Sequence, residues 1–181
     1  KPRPVAYSQD MPWDPMVDYA GMSANTECFM SLWRSFKPVI CKVHGYCVAG
    51  GTDMALCSDL LVVEDVAKIG YPPARVWGVP TTALWAHRIG PARAKRLLLT
   101  GDSITGAQAV EWGLANEAAP AAELDARFEA LVERVARLPV NQLVMHKLLV
   151  NQAVAAQGLY STQVLGTFFD GIARHTEEGF D

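Results

Sequence analysis

A glycine-rich turn followed by an acidic residue is the stretch of this sequence best suited to chemistry. The β-branched run at residues 39–43 predicts a buried strand, and a short helix is predicted over residues 51–57. The turn between them contains Ala49, Gly50 and Gly51, which let the backbone turn tightly. The first peptide N–H groups of such a helix lack internal partners and lie at the positive end of its dipole. They could therefore bind an anion or a developing oxyanion, although glycines in such turns also serve close packing.

Asp53 is predicted to lie in the first turn of that helix. A carboxylate in this position could donate or accept a proton for a ligand held at the turn. It could also accept hydrogen bonds from the free N–H groups of its own helix. The residues alone favour this second, structural role.

Composition and charge argue against several functional classes. The chain of 181 residues is 50% hydrophobic, which suits one globular domain. Its formal net charge is −3 and it has no cluster of basic residues, so we expect neither nucleic acid nor a membrane as a partner. The N-terminus shows no secretory pattern. Because the first residue is Lys1 and not Met, we expect an upstream part in the full protein.

The four cysteines are spaced singly in apolar surroundings. Neither a C-x-x-C pair nor a Cys/His set at zinc spacing occurs, so no metal site is predicted. We expect buried free thiols in a protein of the reducing cytoplasm. The cysteines are Cys28, Cys41, Cys47 and Cys57.

The remaining elements are predicted from apolar periodicity and from turn residues. Residues 1–15 are predicted to be irregular because prolines interrupt them. Thr105 and Gln108 show the capping-box pattern, and Asn141 is predicted to cap the next helix. We expect strands with helices in the first half and helices alone in the second. Strands are predicted at 60–63 and 68–70, a turn or short strand at 114–118, and helices at 17–36, 81–89, 92–99, 105–113, 121–138, 142–156 and 159–174.

Several segments, taken in their order along the chain, resemble the crotonase (enoyl-CoA hydratase/isomerase) superfamily. The resemblance extends from about residue 22 to the C-terminus. The resemblance implies an α/β fold, namely a crotonase-like spiral of ββα units with a helical C-terminal trimerisation region. Residues 1–138 would form the core, with its N-terminal portion incomplete, and residues 139–181 the C-terminal oligomerisation segment of the same domain. The implied assembly is a homotrimer or a dimer of trimers. The matching segments are 37–59, 68–72 (Lys-Ile-Gly-Tyr-Pro), 98–105 (Leu-Leu-Thr-Gly-Asp-Ser-Ile-Thr), Ala109, 113–116 (Gly-Leu-Ala-Asn) and Pro120.

The same resemblance implies a substrate and a site. Family members bind acyl-coenzyme A thioesters, so coenzyme A would arrive as part of the substrate, without a separate cofactor. Two backbone N–H groups hold the thioester oxygen while an enolate-like charge develops on it. Gly50 matches one of these donors, with Ala49 and Gly51 beside the substrate. The other donor comes from an A-G-x-D loop in the family, which residues 20–23 do not match, so we expect it in the upstream part.

The carboxylates are where this chain departs from the family pattern. Hydratases resemble G-G-G-x-E at the helix start and G-Q-P-E further on, and the two glutamates activate a water together. Here the first position is Asp53 and the second is Pro73. Aspartate is one methylene shorter than glutamate, about 1.5 Å, and proline cannot transfer a proton. We therefore do not expect efficient hydration by two carboxylates.

Four further residues are candidates for binding the substrate. Pro73, in the position of the second glutamate, is expected to lie beside the acyl group. Trp77 and Trp85 could reshape the acyl pocket, although tryptophan more often fills a core. Lys147 could approach a phosphate of coenzyme A, or it could lie on a solvated helix face.

Three functional hypotheses remain open from the sequence. The first is an enoyl-CoA hydratase-like enzyme with Gly50 as oxyanion donor and Asp53 as acid or base. The second keeps the oxyanion site but performs double-bond isomerisation or other enolate chemistry with a single carboxylate. The third is an acyl-CoA-binding oligomer without turnover.

Overall fold

Two small sheets and the helices around them position the glycine turn. The structure is a computed structural model and describes residues 12–180. The strands are β1 Ile40–Val43, β2 Tyr46–Val48, β3 Leu60–Glu64, β4 Lys68–Gly70, β5 Ser103–Thr105 and β6 Glu117–Ala119. The helices are α1 Pro15–Arg34, α2 Gly50–Leu56, α3 Trp85–Thr100, α4 Gly106–Glu111, α5 Ala121–Ala136, α6 Val140–Ala155, α7 Leu159–Ala173 and α8 Glu177–Phe180, with a 3₁₀ turn at Pro72–Arg75.

The strands form two three-stranded sheets, and the chain changes sheet between β1 and β2. One sheet has the parallel order β1-β3-β6, and the other has the order β2-β4-β5 with β4 and β5 antiparallel. The crossing occurs at Gly45, whose φ of +63° lies in the left-handed region that glycine adopts without strain. Each sheet thus receives one strand before α2 and one after it, as expected for successive ββα units.

The core lies between the sheets and helices α1, α3 and α7. Its fully buried large side chains are apolar and come from all of these elements. They include Met30, Ile69, Leu84, Trp85, Leu97 and Leu159. The C-terminal third of the chain is helical, as predicted.

The structure corrects the predicted elements at several ends. Helix α1 begins at Pro15, because Asp14 caps it by accepting hydrogen bonds from the N–H groups of Met16 and Val17 at 2.9 and 3.3 Å. The prediction of irregular chain is therefore wrong at Pro15, and residues 1–11 lie outside the described residues. The prediction of two helices at 81–89 and 92–99 is confirmed within α3, because Gly90, with φ 75° and ψ 162°, is not helical and separates two helical stretches; the first of them begins at Trp85 and not at Thr81. Asn141 is not an N-cap, since α6 begins after Pro139.

Three strands were missed or left open by the sequence analysis. The prediction that the second half of the chain contains only helices was therefore wrong. Strands β2, β5 and β6 are three residues long. Such runs are too short to show alternation, and their pairing with distant strands defines them. The prediction of four buried cysteines is also partly wrong. Cys28 is exposed and Cys41 is half-buried, while Cys47 and Cys57 are buried, and all four thiols are free.

Residues 12–180 contain neither a membrane-spanning helix nor a cluster of metal-binding side chains. No helix in this range has the length and apolar character needed to cross a membrane. No group of three or more His, Cys, Asp or Glu side chains in the same range could hold a metal ion.

The predicted capping box at the start of α4 is confirmed and gives a stability test. The Gln108 N–H donates to Thr105 Oγ1 at 3.2 Å, and the Thr105 N–H donates to Gln108 Oε1 at 3.0 Å. We expect Thr105→Ala to lower the free energy of unfolding by about 1 kcal/mol, measured by urea denaturation. Thr105→Ser keeps the hydroxyl and should change it far less. Equal losses in the two variants would contradict the capping role.

Candidate functional site

The turn before α2 holds a residue in a strained conformation. Ala49 has φ 52° and ψ −125°, a region that residues with a Cβ rarely adopt. Among residues 12–180 the one other non-glycine residue with positive φ is Ala83, at 57°. Such conformations cost on the order of 1–3 kcal/mol each and tend to occur at functional sites. Ala49 precedes Asp53 in the sequence, and Ala83 directly follows Thr82. Asp53 and Thr82 are in turn joined by a hydrogen bond.

The strained turn leaves two peptide N–H groups without a partner in the described part of the chain. Ala49 O accepts from the N–H groups of Thr52 and Asp53 at 2.9 and 3.1 Å, which are the first hydrogen bonds of α2. The N–H groups of Gly50 and Gly51 precede these bonds and have no acceptor within residues 12–180. The Cα of Gly51 faces open space, while a Cβ on Gly50 would lie 3.6 Å from Phe29 Cζ. The geometry is suited to donating hydrogen bonds to an oxyanion.

Asp53 is buried and its carboxylate is held by one side chain. It is 4% exposed, and its Oδ1 accepts a hydrogen bond from Thr82 Oγ1 at 2.6 Å. Burial raises the pKa of Asp53 to about 6; the charge of Asp170 also raises it, while the Thr82 hydroxyl lowers it. Helix α2 has no side-chain cap, so the structural alternative of a helix-capping Asp53 is not what the structure shows. A carboxyl group that titrates near neutral pH can both accept and donate a proton.

Three other titratable groups close to Asp53 keep their protons at neutral pH. Burial raises the pKa of Cys47 and of Cys57 to about 12, and the Asp53 charge raises each further. Burial also raises the pKa of the Tyr71 phenol well above its usual range, with further contributions from the charges of Asp53 and Asp170. Asp53 differs from these three groups, because its proton moves near pH 6.

Sequence reasoning missed Thr82 and Asp170. Thr82 lies 29 residues after Asp53 in a segment without regular structure, and its type carries no signal. Asp170 does carry a signal, because it is a lone acid within the apolar stretch 164–172 of the last long helix. A charge at a position where the helical period predicts burial points to a partner.

The three predicted pocket residues lie in different environments. Pro73 is half-buried in the 3₁₀ turn, and its carbonyl accepts from the N–H groups of Val76 and Gly78 at 3.0 and 2.8 Å. Trp77 is 41% exposed, and the guanidinium of Arg174 lies 5.9 Å from its ring centroid. Trp85 is 1% exposed and fills the core at the start of α3. Its indole N–H has no hydrogen-bond partner within residues 12–180.

Lys147 is buried in an ion pair, so the alternative of a solvated helix face is wrong. Its ammonium donates to Asp59 Oδ2 at 2.8 Å and to the carbonyls of Leu32 and Lys37 at 3.0 and 3.2 Å. These acceptors use all three hydrogens. Asp59 Oδ2 also accepts from the Val39 N–H at 2.6 Å, so the pair fastens α6 to the start of β1. The geometry favours this structural role over a contact with coenzyme A.

A cavity of about 500 Å³ lies at the opposite end of α2 from Gly50. It separates α6 from the core and is lined by Asp59, Arg88 and His146 together with apolar side chains. Arg88 donates to the carbonyls of Leu56 and Ser58 and so caps the end of α2. The cavity is therefore separate from the Asp53 site.

Comparison with known proteins identifies the family. Residues 16–179 match the profile of the family described as enoyl-CoA hydratase/isomerase. The chain belongs to the enoyl-CoA hydratase/isomerase family. A crystal structure of enoyl-CoA hydratase from Mycobacterium smegmatis aligns with a TM-score of 0.93 and 60% identity over 97% of this chain and 60% of that one. The predicted crotonase-like α/β fold is thus confirmed.

Curated relatives of the family match at lower identity. A putative enoyl-CoA hydratase of Thermus thermophilus is 33% identical over 67% of this chain and 51% of its own length. A carnitinyl-CoA dehydratase of Proteus mirabilis is 32% identical over 55% of this chain and 40% of its own length. The chain spans about half the length of the curated relatives that it matches.

The raised pKa of Asp53 predicts a stability difference that depends on pH. The folded state binds the Asp53 proton more tightly than the unfolded state, because the pKa rises from 3.8 to about 6 on folding. This group therefore stabilises the fold least above pH 6 and progressively more as the pH falls towards 4. In urea denaturation at pH 7, Asp53→Asn should be more stable than wild type by up to about 3 kcal/mol.

Most of the advantage of Asp53→Asn should disappear near pH 4, because folded Asp53 is protonated there and the unfolded aspartate is partly protonated. Asp125→Asn is the contrasting control: Asp125 is exposed and Lys42 lowers its pKa, so its substitution should not stabilise the protein at pH 7. A difference between Asp53→Asn and wild type that does not vary from pH 4 to pH 7 would contradict the raised pKa.

The Lys147 ion pair predicts a structural effect of its removal. Lys147→Met removes the cation that is hydrogen-bonded to the half-buried Asp59 and leaves two carbonyls without their donor, so we expect the free energy of unfolding to fall by about 1–3 kcal/mol. Lys95→Met, at an exposed position of α3, should change it by less than about 0.5 kcal/mol. A Lys147→Met protein with wild-type stability but weakened acyl-CoA binding would instead support the phosphate contact.

Proposed function

We propose that this chain forms the reacting half of an acyl-CoA site in an enoyl-CoA hydratase-like enzyme. The Gly50 N–H donates to the thioester oxygen, and Asp53 exchanges a proton with the acyl chain or with a water bound beside it. The observation that carries the proposal is the buried Asp53, whose pKa is raised to about 6 next to a strained turn with free N–H groups.

The chemistry needs both parts of this arrangement. A thioester enolate carries negative charge on its oxygen, and fixed N–H donors stabilise that charge more in the transition state than in the ground state. Proton transfer at neutral pH is fastest when the acid or base has a pKa near the working pH. An exposed aspartate with an ordinary pKa would be too weak a base, and burial raises the pKa towards the working pH. Ala49 and Gly51 flank the donor and are proposed to contact the thioester.

The second donor is proposed to come from a part of the protein outside this sequence, as the A-G-x-D loop of the family would imply. Coenzyme A arrives as part of the substrate, and we propose no separate cofactor. Trp77, which is partly exposed beside the 3₁₀ turn, is the aromatic residue that we propose for the acyl pocket. Trp85 shapes that pocket from within the core.

Isomerisation is the second candidate, and a specific observation favours it. Pro73 lies where hydratases carry a second glutamate, and a proline has no group to activate water. A single carboxylate is enough to move a proton between two carbons of an enolate. Asp53 could shift a double bond in this way without adding water. A binding protein without turnover is the third candidate, and the raised pKa of Asp53 argues against it.

We also propose a homotrimer or a dimer of trimers, assembled through the segment 139–181. Helices α6 and α7 expose large apolar side chains, which an interface between subunits would cover. These are Val140, Met145, Leu148, Leu149, Val150, Val164, Leu165, Phe169 and Ile172. The free thiols, one of them exposed, support a reducing cytoplasmic location.

An assay of the full-length protein tests the function. Wild type, Asp53→Asn and the control Asp125→Asn are compared with crotonyl-CoA, longer 2-enoyl-CoAs and 3-enoyl-CoAs as substrates. We expect Asp53→Asn to lower kcat by about 100- to 10,000-fold, because the acid or base is lost, and Asp125→Asn to have no effect. Products are identified in H₂¹⁸O.

The products distinguish the candidates. Incorporated ¹⁸O on the β-carbon supports hydration, and a shifted double bond without ¹⁸O supports isomerisation. Turnover that Asp53→Asn leaves unchanged would contradict the proposed role of Asp53. Tight acyl-CoA binding with no product from any substrate would leave the binding protein as the function.

A further inference from the structure

Helix α7 has a polar buried face and an apolar exposed face, the reverse of an ordinary surface helix. Its inward residues recur at intervals of three and four, and after the apolar Leu159 at its start they are polar or small. The buried set is Leu159, Gln163, Gly166, Thr167, Asp170 and Gly171, continued by Arg174 just after the helix. Buried polar groups are expensive unless they make hydrogen bonds, so this face must have polar partners.

The partner of this face is the segment 79–82, which ends in a turn closed by the Ala83 N–H donating to Pro80 O at 3.3 Å. Asp170 Oδ1 accepts from the Val79 N–H at 3.1 Å, and Gln163 Nε2 donates to Thr82 O at 2.9 Å. Between these two contacts, a Cβ on Gly166 would lie 3.5 Å from Pro80 O, so the backbones approach closely there. Three successive positions along α7 thus hold both ends and the middle of the segment.

Helix α1 holds the same segment and helix from the other side. Thr26 Oγ1 donates to Thr81 Oγ1 at 2.7 Å. Arg174 donates to Asp170 Oδ2 at 2.5 Å and to Asp18 Oδ1 at 2.6 Å, so a buried ion cluster joins the end of α7 to α1. All three charged side chains of this cluster are less than a tenth exposed. The segment 79–82 is therefore fixed by two helices.

The fixed segment ends at Thr82, the residue that holds Asp53. The Thr82 carbonyl accepts a hydrogen bond from Gln163, and the Thr82 hydroxyl donates to Asp53 Oδ1 at 2.6 Å. The next residue, Ala83, has the strained φ of 57°. The hydrogen bond from Gln163 to the Thr82 carbonyl lies directly before this strained residue. It keeps the Thr82 hydroxyl in place, because a strained segment without such a contact would relax.

We propose that Gln163 and Asp170 are positioning residues for Asp53, acting through the segment 79–82 and the Thr82 hydroxyl. This inference rests on the proposed function, in which Asp53 transfers the proton. Neither residue touches the substrate in this scheme. Gln163 sets where the hydroxyl points, and Asp170 both fixes Val79 and places a second negative charge near Asp53.

The charged and titratable groups around Asp53 are few within the described residues. Asp170 faces it from α7, Tyr71 from the end of β4, Cys47 from β2 and Cys57 from the end of α2. The phenol and both thiols are neutral near pH 6, because burial raises the pKa of each. Asp170 is in turn faced by Arg174 and Asp18, and burial raises its pKa as well. Besides burial, the hydroxyl and the backbone N–H of Thr82 and the charge of Asp170 are thus the groups that shift the Asp53 titration.

Titration of Asp53 in three variants tests the proposal without relying on turnover. The full-length protein is labelled with ¹³C at its aspartate carboxyl carbons, and the Asp53 signal is assigned by its absence in Asp53→Asn. We expect Gln163→Met to raise the pKa of Asp53, because the Thr82 hydroxyl is no longer held. Asp170→Asn should lower it, because the amide oxygen can still accept from the Val79 N–H while the repulsion from a neighbouring carboxylate is removed. Gln152→Met, at an exposed position of α6, is the control and should leave it at about 6.

Opposite shifts are the decisive result, since a general loosening of the fold would move both titrations in one direction. If Asp170→Asn does not fold, Thr82→Val provides the second measurement, and it should raise the pKa as Gln163→Met does. Unchanged titrations in folded Gln163→Met and Thr82→Val, or shifts of one sign in Gln163→Met and Asp170→Asn, would overturn the proposal.

In turnover assays Gln163→Met should lower kcat by about 10- to 100-fold with little change in KM. Absent turnover in wild type would refute the proposed function and leave the titration result intact.

Discussion

Asp53 holds a carboxylate out of water, and the energetic cost of that burial determines how the surrounding segments are built. A buried acid is tolerated when it is protonated for part of the time and when its remaining lone pairs find a donor. The Thr82 hydroxyl is that donor, and it approaches from a segment that has no helix or sheet of its own. Fixing one hydroxyl therefore involves polar contacts from both α1 and α7, through Thr26 and Gln163.

The glycine turn and the buried acid belong to one arrangement. The strained Ala49 precedes the N–H groups of Gly50 and Gly51, which have no acceptor within residues 12–180, and its carbonyl accepts the first helical hydrogen bonds, including that of Asp53 itself. The donors and the acid are thus fixed relative to one another within four residues. A site that must stabilise charge and move a proton on the same substrate needs such rigidity, because an error of about 1 Å in position can lower the rate about 100-fold.

The local parts of this arrangement could be read from the sequence, and the long-range parts could not. The small residues 49–51 and the acid after them signal a turn and a helix start, since turn chemistry is set by neighbouring residues. The capping box at Thr105 is local in the same way. Thr82, Gln163 and Lys147 acquire their roles from partners that are 29, 81 and 88 residues away. Strands β2, β5 and β6 were missed or left open because strands of three residues are defined by their neighbours in the sheet.

The conformation of Ala49 has a consequence for how this protein balances stability against chemistry. Glycine would adopt its backbone angles almost freely, whereas alanine adopts them only under strain. The methyl group also narrows the range of backbone angles open to the turn, so the N–H groups of Gly50 and Gly51 vary less in position than they would beside a glycine. A relative with glycine here would form the turn with less strain but would hold a charged oxygen less firmly. Alanine therefore makes the folded state less stable, and it fixes the shape of the turn before anything binds.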